Sequence, residues 1–150
     1  MLDRKITPSI EEAVHFDLQL KNCDRFALDN KVPVYAMNAG AQDVVMVEWV
    51  FDAGNWYDKL PMVAATTNFL IKNGTTSKTA YQINDFFEFH GAYLNRSCYN
   101  ETASITLHCL SKHLETLLPV VREIIETSIF PEQELAIYIQ NQKQRLSVNL

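Results

Sequence analysis

The chain is poor in glycine: four residues in 150, at positions 40, 54, 74 and 91. None is placed to build a G-x-G-x-x-G or P-loop turn, and no G-x-S-x-G elbow is present. Phosphate-cradling loops and serine-nucleophile chemistry of that kind are therefore excluded. Cysteine is scarce and odd in number, with Cys23, Cys98 and Cys109 lacking any C-x-x-C spacing. That pattern suits reduced thiols in a cytoplasmic protein and not a disulfide framework. A periplasmic or organellar location would require a signal upstream of Met1, because Met1-Leu2-Asp3-Arg4-Lys5 opens no apolar signal core. No apolar run approaches the ~18 residues of a membrane-spanning helix, so no membrane role is expected. Basic residues are also few: 13 against 18 acidic ones, scattered, for a net charge of −5. Phosphate backbones are bound by clustered Lys and Arg, so a nucleic-acid partner is not expected.

What is present reads as one globular domain. Hydrophobic residues make up 47% and charged residues 21%, close to globular averages, and a chain of this length can bury a sizeable core. Residues 1–24, including Glu11, Glu12 and His15, read as a lead-in, and residues 25–150 as the domain. Residues 26–39 predict a hairpin turning at Asp29-Asn30-Lys31, with Pro33 at a strand start or edge where its missing N–H is not needed. Val44 to Ala53 predicts a strand whose near-continuous apolarity points to a central position covered on both faces. A helix over 61–72 ends near Asn73-Gly74, and a second runs from a Ser77 or Thr79 cap to His90 with Gly91 closing it. Two strands, Tyr93 to Tyr99 and Ala103 to Leu110, turn at Asn100-Glu101. Ser111 is placed to cap a third helix. Its Leu114, Leu117, Leu118, Val121, Ile124 and Ile125 keep one apolar face, and Pro119 should kink it. Pro131 suits the first turn of a last helix. This order predicts an α+β fold, a largely antiparallel sheet with helices on one face.

Five stretches carry a resemblance: Leu28 to Tyr35; Val50 to Tyr57; Lys72-Asn73-Gly74-Thr75; Phe89-His90-Gly91-Ala92-Tyr93-Leu94-Asn95; and Phe130 to Leu135. In this order they resemble the first domain of the pitrilysin/insulinase zinc peptidases, relatives of mitochondrial processing peptidase and the core subunits of respiratory complex III. Family subunits continue into further helices and a second similar domain, so the resemblance implies a truncated chain. It also implies a zinc motif H-x-x-E-H on the helix before Asn73. The aligned positions here are Ala65 and Phe69 for the two imidazoles and Asn68 for the glutamate base. The third ligand position falls on Arg145, and a further acidic position on Tyr138. None of Ala65, Phe69 and Arg145 has a lone pair to give a metal. Phe69, with Met62 and Ala65, reads as an apolar helical stripe, which predicts that its side chain is substantially buried.

The expectation is a non-catalytic homologue with no zinc and no other cofactor. It would be the peptide-binding, chamber-forming subunit of a metalloendopeptidase complex, paired with a zinc-bearing subunit of the same family in a hetero- or homo-oligomer. The resemblance also implies that Asn95, Arg96 and Ser97 fall on the family's substrate-holding edge strand. There Arg96 replaces a small residue, which weakens without removing the expectation of unfolded-peptide binding by strand addition. The alternatives are an active peptidase whose metal site has moved and a purely structural subunit resembling the complex III core proteins. A displaced site built on Cys98, Cys109 and a histidine is disfavoured. His108 and Cys109 are strand neighbours pointing to opposite faces, and an apolar strand would raise the Cys109 thiol pKa.

Overall fold

A computed structural model of the chain describes residues 19–148. The lead-in reading falls largely on residues outside that range, with Glu11, Glu12 and His15 among them. Backbone contacts divide the chain into two units between Ala41 and Gln42, and each is described by itself.

The first unit contains a hairpin of β1 (Asp24–Ala27) and β2 (Pro33–Ala36), paired antiparallel with Ala27 opposite Pro33. The turn forms as its residues dictate. Lys31 takes a left-handed backbone (φ 67°), and the Asn30 side-chain oxygen accepts from Val32 N–H at 3.1 Å. Pro33 opens its strand, where it costs the ladder least.

The second unit holds an antiparallel three-stranded sheet of β3 (Val44–Phe51), β4 (Tyr93–Cys98) and β5 (Ala103–Leu110), in the order β3-β5-β4. One expectation is corrected here. The Val44 strand is not central: it forms an edge of this sheet with one face open, and Met46 and Val50 are both 60% exposed. Only Val45, Val47 and Trp49 turn towards the helices and are half-buried. The central strand is β5, whose alternating Ser-Ile-Thr-Leu-His-Cys pattern looks half-solvated in sequence.

The helices α1 (Val63–Leu70), α2 (Ala80–Phe89), α3 (Leu114–Thr127) and α4 (Glu132–Val148) complete the unit. One core joins Ile83 and Phe87 of α2, Leu94, Ile105, Leu107 and Cys109 of the sheet, and Leu117, Val120, Val121 and Ile124 of α3. This is the expected α+β arrangement, with helices on one sheet face. α2 begins in a capping box: the Thr79 hydroxyl accepts from Gln82 N–H, and the Gln82 side chain accepts from Thr79 N–H. It closes at Gly91, whose φ of +60° favours glycine. The third helix starts differently from its reading. Ser111–His113 form a 3-10 turn, and α3 begins at Leu114 with no side-chain cap, so Ser111 caps nothing. α3 continues through Pro119, whose missing N–H leaves the Glu115 carbonyl without its helical partner.

Candidate functional site

α1 is a short helix with few local start signals. Met62 precedes it with a left-handed backbone (φ 73°), and the cap comes from outside, where the Asp58 carboxylate accepts from Ala64 N–H at 2.7 Å. The helix lies along β4, the edge of the sheet opposite β3, and α4 packs on it in turn. Among the described residues no strand pairs with the outer edge of β4.

The positions singled out in sequence part company on α1. Asn68 is 9% exposed, and its amide donates to the Ser104 carbonyl at 3.2 Å. It lines a cavity of about 370 Å3 under α1 together with Thr67, Ile71 and Ile105. Phe69 points elsewhere and is 46% exposed, which corrects the expectation of substantial burial. Its ring centroid lies 4.6 Å from that of Tyr138, the one buried residue of α4. The Arg96 guanidinium stands 5.2 Å from the same ring and donates to the Phe69 carbonyl. Phe69 is thus a rim residue held by an aromatic pair and a cation–π contact.

Phe69, Tyr138 and Arg145 line one cavity of about 640 Å3, with Asn141, Gln142, Gln144 and Val148. Three positions far apart in sequence are therefore brought together. Ala65 is half-buried on α1 and is not among the lining residues. A neighbouring cavity of about 790 Å3 shares Tyr138, Gln142 and Arg145 and adds Met62, Val63, Thr66 and Lys143. β4 alternates: Leu94 and Arg96 belong to the helix face, while Asn95 and Ser97 belong to the open face, where the Ser97 and Ser104 hydroxyls meet at 2.8 Å.

Cations predominate in the electrostatics of this corner. Burial lowers the pKa of Arg96. Lys72, just past α1, is lowered first by burial and then by the charge of Arg96, with Glu88 acting weakly the other way. Among the described residues the ion pairs are Lys78–Glu123 and Arg122–Glu126, neither of which involves these cations. Burial also pushes the Cys98 and Cys109 thiols up, away from nucleophilic thiolate character. Sequence reasoning missed the approach of Lys72 to Arg96; its only signal was the arginine in place of a small residue.

A zinc ion does not fit the donor set. Ala65 offers a methyl group, Phe69 a ring already engaged by Tyr138 and Arg96, and Arg145 a guanidinium without a lone pair. Among the described residues no three His, Cys, Asp or Glu side chains converge.

No protein-family model matches the chain. It is 27% identical over 111 residues to an uncharacterized zinc protease of Rickettsia felis, a match covering 73% of this chain and 27% of the relative. A crystal structure from Pseudomonas fluorescens, described as a peptidase M16 inactive domain, superposes with a TM-score of 0.74 at 27% identity over 81% of this chain. The chain is thus similar to pitrilysin-type (M16) peptidase-like domains. The crystal structure of a Helicobacter pylori protease shares the fold, at a TM-score of 0.72 and 16% identity over 85% of the chain. The chain spans about a third or less of the length of these proteins, 27%, 30% and 32% respectively.

Proposed function

We propose that this pitrilysin-like domain is non-catalytic and serves as the peptide-binding, chamber-forming part of a metalloendopeptidase assembly whose zinc belongs to another subunit of the family. The observation that carries the reading is the cavity shared by Phe69, Tyr138 and Arg145 beside the free edge of β4. Its walls have shape and polar donors but no metal ligand and no general base. Asn68, in the place of the base, is a neutral amide already donating to the Ser104 carbonyl. The Pseudomonas fluorescens relative described as an inactive domain supports the same conclusion. The chemistry that remains is backbone recognition: an extended peptide added to β4, with its side chains read by Phe69, Tyr138 and the nearby cations. Exposed Ile139 and Leu146, on one face of α4, leave an apolar surface for a partner.

The displaced-metal alternative lacks a donor cluster among the described residues. The structural-subunit alternative differs in predicting no peptide affinity. The test is to purify the chain alone and together with a zinc-bearing family subunit, and to assay cleavage of an unfolded peptide. Alone, the chain should cleave nothing, and chelators should change nothing. Mixed, the two should co-elute and cleave faster than the zinc subunit alone. Chelator-sensitive cleavage by the chain alone would overturn the reading.

A further inference from the structure

We infer that the groove beside β4 selects acidic peptides, seating an Asp or Glu carboxylate against Arg96 and Lys72. This inference rests on the reading of β4 as a peptide-binding edge and adds to it the class of peptide taken.

The argument starts from charge left without a partner. Arg96 is half-buried on the helix face of the edge strand, and one of its five donors is used, by the Phe69 carbonyl. No carboxylate pairs with it among the described residues. Burial and then the charge of Arg96 hold the Lys72 pKa down. Half-buried like charges set together are costly, Glu88 offsets this only weakly and only at Lys72, and a bound carboxylate would relieve both. The adjoining cavity walls repeat the pattern. Lys143 and Arg145 line them, and neither wall contains an Asp or Glu. In a chain of net charge −5, this local excess of cations is contrary to bulk composition. A guanidinium with free N–H groups also matches a carboxylate in shape, donating two parallel hydrogen bonds to its oxygens. Because Arg96 stands on the strand itself, its distance from a peptide aligned along β4 is fixed by strand pairing. A cationic peptide would meet repulsion here, and the Phe69 ring face is already engaged by Arg96.

The test uses three fluorescein-labelled, unstructured peptides of alternating Val and a variable residue, Glu, Gln or Lys, titrated into the chain and followed by anisotropy at low salt. The Glu peptide should bind about tenfold tighter than the Gln peptide, as one charge-assisted contact provides. The Lys peptide should bind weakest, and the preference should shrink as salt screens the groove. Arg96→Gln should remove most of the difference between the Glu and Gln peptides while both still bind, and Arg96→Lys should restore part of it. If Arg96→Gln fails to fold by circular dichroism, Lys72→Gln serves in its place and should cut the preference severalfold. Equal binding of the Glu and Gln peptides to the parent would overturn the acidic preference while leaving β4 as a peptide edge. Failure of all three to bind would overturn the edge reading itself, and this inference with it. An acidic preference untouched by either variant would also overturn it.

Discussion

The α2–α3 side of the sheet and the α1–α4 side are built to different standards. On the first, Ile83, Leu107, Leu117, Val121 and Ile124 are each fully buried, and the helices share one continuous core with β4 and β5. On the second, α1 buries only Asn68 and Leu70, α4 buries only Tyr138, and the space between holds cavities rimmed by half-exposed side chains. Close-packed interiors resist change and seldom bind anything; loosely packed corners with polar rims are where ligands enter. The fold's stability therefore resides with α2 and α3, and the recognition chemistry proposed above would lie with α1, α4 and the edge of β4.

Truncations on the two sides should separate clearly. Ile124→Ala on α3 should lower unfolding free energy by about 2–5 kcal/mol, read from the midpoint of chemical denaturation, because its surroundings can collapse only partly around the cavity. Gly54→Ala lies at the seam between β3 and the β4–β5 turn. A Cβ there would stand 2.5 Å from the carbonyl oxygens of Tyr99 and Asn100, and overpacking against backbone should cost about 1–3 kcal/mol in the same assay. Phe69→Ala should cost less, about 1–2 kcal/mol, since half its surface is already wet and the loss is chiefly its contact with Tyr138. A cost for Phe69→Ala as large as that for Ile124→Ala would erase the contrast.

The smallest effect concerns acid. The Glu123 carboxylate accepts hydrogen bonds from Lys78, Ser77 and Thr75, fastening the loop before α2 to α3, and these lower its pKa from 4.5 to about 2. A group depressed on folding stabilises the folded chain above its unfolded value. That contribution is fully present above about pH 4.5 and is lost as pH falls towards 2. Glu123→Gln should accordingly flatten the fall in melting temperature between pH 4.5 and pH 2, where the parent's stability declines.

Local chemistry made much of this fold legible in the sequence. The Asn30 turn with Pro33 at its strand start, the Thr79 cap, the Gly91 stop and the β4–β5 hairpin are each decided by residues within a few positions. Lateral order in a sheet is not local. The apolar β3 reads as central, yet the edge position depends on which strands lie beside it, and β5 takes the middle. Phe69 failed as a core residue for a related reason. Helical spacing places it on a face with Ala65, but whether that face is covered depends on Tyr138 of α4 and Arg96 of β4, distant in sequence. Only the family resemblance drew attention to Phe69, Tyr138 and Arg145, which line one cavity, while Ala65 and Asn68, singled out with them, do not line it. The cap that Asp58 gives α1 left no recognisable pattern at all.

The central claim is that Phe69 and Arg145 meet at one cavity, with Ala65 one helical turn from Phe69, as the resemblance to the zinc peptidases implies for three ligand positions. Asn68 is best left alone in testing it, because a carboxylate in its place would face the Ser104 carbonyl. Zinc should be titrated calorimetrically into the parent and into the variant carrying Ala65→His, Phe69→His and Arg145→Glu, each first shown to be folded by circular dichroism. The account predicts no stoichiometric binding by the parent and about one zinc per chain in the variant, since three ligands around one point suffice for an open tetrahedral site. A full equivalent of zinc bound by the parent, or a folded variant that binds no better than the parent, would contradict it.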